Sequence, residues 1–109
     1  MRTPEKVYED LVTAGEAWAA AHADARRLDL HAKTVYAEAR REARRNGVKT
    51  AAEADDVAAT DDDYIAFRRK AIVADEQEMV AKVRFQAEQV KADFERTNAV
   101  YERTLLTGR

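Results

Sequence analysis

The sequence predicts an all-α protein, in which two long helices fold back as an antiparallel coiled-coil hairpin joined by a short helix. Three observations predict it. Only three glycines and one proline punctuate 109 residues, so turns are few, while the strong helix formers Ala, Glu, Arg, Lys, Gln and Leu abound. Apolar residues recur in steps of three and four over long stretches. Helix start and stop signals bracket those stretches. With 37% charged residues, a chain this short buries little core by itself, so one elongated helical domain over residues 1–109, a partner, or both are expected.

The first helix is predicted over about residues 4–46. Thr3 is placed to cap it, Pro4 suits a first helical position that needs no N–H, and Glu5 sits at the positive end of the dipole. Val7, Leu11, Ala14, Trp18, Ala21, Ala25, Leu28, Ala32, Val35 and Ala39 then follow in alternating steps of four and three, which is a coiled-coil seam. Half of these positions are alanine, so a partner helix can approach closely. Asn46-Gly47 offers a left-handed cap, and Arg40, Arg41, Arg44 and Arg45 lie near the negative end of the dipole.

Two further start signals follow. Thr50 with Glu53 and Thr60 with Asp63 both match a capping box, which predicts a short helix over about 51–59 and a second long helix over about 61–106. On that last helix Val73, Val80, Val83, Ala87, Val90, Phe94, Thr97, Tyr101 and Leu105 form the predicted main seam, interrupted at Glu76. Tyr64, Ile65, Phe67, Ile72, Met79 and Phe85 form a second stripe, wider than one neighbouring helix covers. Matching the ends of the hairpin sets Ala39 near Arg68, Leu28 near Val80, Trp18 near Val90 and Val7 near Tyr101. The second stripe is then the expected interface of a homo-oligomer.

Composition argues against several functions. The chain has no serine and no cysteine, so the usual hydrolytic nucleophiles, a disulfide framework and a thiolate metal site are all missing. A non-enzymatic role without cofactor, metal or small-molecule substrate is expected. His22 and His31 lie outside the i, i+4 spacing that chelates a metal. Asp55, Asp56, Asp61, Asp62 and Asp63 lack the glycine-kinked pattern of a calcium loop and are better read as helix-capping acids. Trp18 and Phe94 fall at seam spacing and are read as core. The segment "MRTPEKVYED" has no apolar signal core, and the longest apolar run, "AWAAA", is far too short to span a membrane, so a cytoplasmic protein without membrane contact is expected.

The strongest functional lead is a basic cluster. In the predicted hairpin Arg40, Arg41, Arg44, Arg45 and Lys49 lie beside Arg68, Arg69 and Lys70, a patch suited to phosphate binding. The same charges also serve simply to solvate helix faces and to neutralise the acidic connection next to them. Only Tyr64 and Phe67 are available nearby for base stacking, so any binding would follow the nucleic-acid backbone.

The order of long helix, polar connection and "DYIAFRRKAIVADEQEMVAKVRFQAEQVKADFERTNAVYERTL" resembles the small helical phage recombination mediators of the UvsY type. The likeness rests on layout, length and the "ADEQEMVAKV" region with its following heptads, over about residues 60–105. What the resemblance implies is a non-enzymatic recombination accessory factor that self-assembles, binds single-stranded DNA and helps load a recombinase. The basic residues do not match that family one by one. The alternative of a different class is a protein-interaction module or inhibitor that docks a host or virion protein through the apolar face of its last helix.

Overall fold

The computed structural model describes residues 1–107 and consists of α1 (Pro4–Arg45), α2 (Ala51–Ala59) and α3 (Asp62–Thr107). No strand occurs among the described residues. The long helices α1 and α3 pack against each other as an antiparallel hairpin, as the sequence predicts. The chain forms two compact units, Ala21–Glu78 and Met1–Ala20 with the segment from Met79 onward.

Local signals set the helix ends. The Thr3 hydroxyl accepts from the Lys6 amide at 3.2 Å and that of Thr50 accepts from Glu53 at 3.1 Å. Gly47 takes φ +100°, and the amides of Gly47 and Val48 donate to the carbonyls of Arg44 and Ala43. That is a Schellman motif, with glycine at the one position that requires a left-handed backbone. Thr60 does not start α3. Its hydroxyl donates to the carbonyls of Asp56 and Val57 at the end of α2, and Asp61 caps α3 by accepting from the Tyr64 amide at 3.0 Å. A charged carboxylate at the positive end of a long helix displaces the expected Thr60–Asp63 pair from that role.

In the unit Ala21–Glu78 all three helices meet. Every fully buried residue of the described chain lies here, and each is an alanine: Ala25, Ala32 and Ala43 on α1, Ala54 and Ala58 on α2, Ala71 and Ala74 on α3. Small residues on facing surfaces let the backbones approach closely, and aromatic rings close the flanks. Tyr36 stacks edge-on with Tyr64 at 5.0 Å and His31 with Phe67 at 5.7 Å. α2 is held to α1 by Tyr36, whose hydroxyl donates to Asp55 at 3.1 Å, and by Arg40, whose Nε lies 2.7 Å from the same carboxylate.

The other unit is a two-helix layer in which no described residue is fully buried. Trp18 meets Phe85 at a centroid distance of 5.6 Å, and Lys82 lies over the Trp18 ring at 5.9 Å. At the start of the chain the Arg2 guanidinium joins three carboxylates. Its Nη1 bonds Asp10 at 2.9 Å, its Nε bonds Glu95 at 3.0 Å, and Nη1 also bonds Glu88. Arg2 is only 13% exposed, so an ionic knot takes the place of an apolar core at this end.

The predicted α1 seam is the observed one, since every residue from Val7 to Ala39 named above is buried or half-buried. The α3 seam is not. Tyr64, Phe67, Ala71, Ala74 and Glu78 face α1 in one unit, and Ala81, Phe85, Glu88, Ala92, Glu95 and Ala99 do so in the other, again in steps of three and four. The predicted seam residues Val73, Val80, Val83, Ala87, Val90, Phe94, Thr97, Tyr101 and Leu105 are all exposed. The register differs too, because Trp18 meets Phe85 and not Val90. The cause is α2. It lies along the last turns of α1 instead of bridging its tip, so α3 begins level with Tyr36.

Candidate functional site

The predicted oligomer stripe divides. Tyr64, Phe67 and Phe85 are engaged with α1 within the chain, through Tyr36, His31 and Trp18. Ile65 is half-buried, and Ile72 and Met79 are exposed. Three aromatic side chains assigned to an interface between protomers are therefore already partnered within the chain.

The predicted basic cluster divides as well. Arg41, Arg44, Arg45 and Lys49 are exposed around the end of α1, and none is paired with a carboxylate among the described residues. Arg40 differs, being half-buried against Asp55. Its Nε is close enough for an ion pair but lacks a hydrogen-bond alignment. Arg68 lines a groove with Asp29, Lys33, Tyr36 and Tyr64. Arg69 and Lys70 line another with Asp24, Arg27 and Leu28. At ~1.5 Å per residue, Leu28 and Arg44 lie roughly 24 Å apart along α1. Arg69 and Lys70 thus lie partway along the helix pair, apart from Arg44 and Arg45 at the end of α1, because α3 starts earlier beside α1 than the sequence suggests, and Arg68 beside Tyr36 falls between them. Lys70 is further drawn over the Phe67 ring at 5.4 Å.

The outer face of α3, in the unit that begins again at Met79, is left unused by these contacts. With 3.6 residues per turn, Phe94 is rotated about 180° from Phe85 on the helix. Val80, Val83, Ala87, Val90, Thr97, Tyr101 and Leu105 lie within about 60° of Phe94 on the same reckoning. Phe94 is 70% exposed and Val90 69%. α3 therefore carries two heptad-spaced stripes on opposite sides. The one facing α1 contains Glu78, Glu88 and Glu95, whereas the one facing solvent carries no charge and is valine, alanine, phenylalanine, threonine, tyrosine and leucine. Solvating so long an apolar stripe is costly, and stripes of this kind mark interaction surfaces.

The carboxylates on the inner stripe are tolerated because polar partners on α1 and at the start of the chain reach them. His22 Nδ1 lies 2.9 Å from Glu78, and Arg2 serves Glu88 and Glu95. Those bonds to Glu88 and Asp10, foremost among the causes, raise the already high pKa of Arg2 further. Arg2 in turn holds the Asp10 carboxyl below its usual range, with Lys6 adding to the effect. Burial first, and then its bond to Asp55, pushes the Tyr36 phenol above its usual value.

Among the described residues no group of His, Asp or Glu is arranged to hold a metal ion, and no helix is long and apolar enough to cross a membrane. The chain matches no protein-family model, and neither a curated protein nor a solved structure shows significant similarity to it.

Proposed function

We propose that this protein is a non-catalytic helical interaction module whose working surface is the outer stripe of α3. The observation that carries the reading is the solvent-facing run from Val80 to Tyr101, at coiled-coil spacing on a helix whose opposite side is already occupied by α1. Such a stripe fits an amphipathic helix laid along it. The absence of serine and cysteine from the sequence supports a binding role over nucleophilic catalysis. The test is a photo-crosslinking amino acid placed at Val90 in the native host, with one at Arg26 as control. Covalent adducts specific to Val90 support the reading, and no adduct at Val90 overturns it.

A second reading, a recombination accessory factor that engages single-stranded DNA or a DNA-bound recombinase, draws on a different observation. Arg41, Arg44, Arg45 and Lys49 are exposed and unpaired among the described residues. This reading uses the end of α1 and leaves the α3 stripe unexplained. Light scattering with and without an oligonucleotide at low salt tests it.

A further inference from the structure

We infer that the outer stripe of α3 is covered by the same stripe of a second copy of this chain, with the two α3 helices parallel and in register. The inference rests on the interaction-module reading and names the occupant. The first ground is spacing. Val80, Val83, Ala87, Val90, Phe94, Thr97 and Tyr101 alternate in steps of three and four without a break, so every core layer of a two-stranded coil is filled from one helix. Across a parallel two-fold axis each residue of the stripe then meets itself, which makes the surface self-complementary. The Phe94 layer lies between the Val90 and Thr97 layers, whose smaller side chains give the Phe94 pair room.

The second ground is charge, and it decides the direction. One flank of the stripe carries Arg84, Lys91 and Asn98, and the other carries Met79, Gln86 and Asp93. An antiparallel pair sets each flank against itself, so Arg84 and Lys91 of one copy would face Arg84 and Lys91 of the next. A parallel, in-register pair sets opposite flanks together. Met79 then meets Arg84, Gln86 meets Lys91, and Asp93 meets Asn98, so no like charges oppose each other. No part of α1 obstructs the approach, because the stripe points away from Trp18 and Phe85.

The absence of cysteine from the chain makes the test direct. Val83→Cys and Val90→Cys are prepared separately and oxidised under mild conditions. Each is expected to form a disulfide-linked dimer of itself, and the unmodified protein is expected to show dimer mass by light scattering. A double change, Val83→Glu with Val90→Glu, is expected to give single-chain mass with helicity retained, since both side chains point away from α1. If Val83→Cys links only to Phe94→Cys and never to itself, the helices are antiparallel and the assignment is overturned. If the unmodified protein stays at single-chain mass at every concentration, the second copy is overturned as occupant. Adducts at Val90 with another protein then show that the interaction-module reading survives, and their absence shows that it has failed too.

Discussion

Trp18 and Phe85 meet across the helix pair with their planes tilted by 36°, and Gly15 leaves space for the same ring. A Cβ built on Gly15 lies 3.4 Å from Phe85 Cε2. The tryptophan, the phenylalanine and the missing methyl form one contact that fixes how α1 and α3 slide past each other in this unit.

Truncation of that contact is the first prediction. Replacement of a fully enclosed aromatic by alanine costs about 3–5 kcal/mol. Trp18 is only half-buried, so Trp18→Ala is expected to cost about 2 kcal/mol in denaturant unfolding. Gly15→Ala is expected to act in the opposite direction. A mid-helix glycine costs about 1 kcal/mol relative to alanine, and the half-exposed Phe85 ring can yield by a few tenths of an ångström. A less stable Gly15→Ala would show that the ring is locked.

These contacts also show what the sequence reveals and what it conceals. Helix number, the α1 seam and the Gly47 stop follow from local rules, because capping and periodicity act within a few residues. The face of α3 does not. Two stripes of equal period lie on that helix, and hydrophobicity favours the wrong one. The deciding factor is shape: the alanines of α1 admit Ala71 and Ala74 closely, and Arg2 and His22 reach the glutamates that make the inner stripe look polar. Arg2 lies ahead of the helix and far from Glu88 and Glu95 in sequence, so no periodicity announces it. The Tyr36–Tyr64 and Arg40–Asp55 contacts depend on how α2 folds back, which also splits the predicted basic cluster.

The Arg2 knot predicts an acid-side dependence. Asp10 has its folded pKa lowered, first by Arg2 and then by Lys6. Its contribution is therefore present above its unfolded value of about 3.9 and is lost as pH falls through the folded value. Arg2→Gln removes the main cause. The melting temperature of the parent is expected to fall more steeply below about pH 4 than that of the variant, and parallel curves would show that the knot carries no linkage.

Tyr36 predicts the opposite limb. Its folded pKa is raised, by burial first and by Asp55 second, so its contribution is complete below the unfolded value of about 10 and is lost as pH rises through the folded value. Tyr36→Phe keeps the ring against Tyr64 and removes the titrating group. Thermal melts are expected to show a smaller alkaline loss in the variant, with phenolate absorbance of the parent giving the matching titration.

The short helix α2 depends on small side chains. Ala54 and Ala58 are fully enclosed, and added methylenes in a tight site cost about 1–3 kcal/mol. Ala58→Leu is expected to release α2, seen as faster hydrogen exchange over residues 51–59 with α1 and α3 still helical. Unchanged protection there would mean that the site has room.

The arginines at the end of α1 separate by role. Arg40 lies against Asp55, so Arg40→Gln is expected to lower stability by up to about 1 kcal/mol, the range of partly exposed ion pairs. Arg41, Arg44 and Arg45 have no carboxylate partner among the described residues, and glutamine is nearly as good a helix former. Their joint replacement removes no packing and is expected to lower stability only by the dipole contribution of Arg44 and Arg45 in the last turn, about 0.3–1 kcal/mol each. If this end engages single-stranded DNA, each phosphate contact contributes about 0.7 to the salt slope, so the triple change flattens it by about 2, with little dependence on base sequence. Arg69 and Lys70, set apart near Leu28, should then contribute separately, and their replacement should not alter the effect of the first three. A single patch of eight cations would instead show strong coupling between the two sets. Equally negligible oligonucleotide affinity at low salt for the parent and both variants leaves these arginines as a solvated helix end and the α3 stripe as the surface that acts.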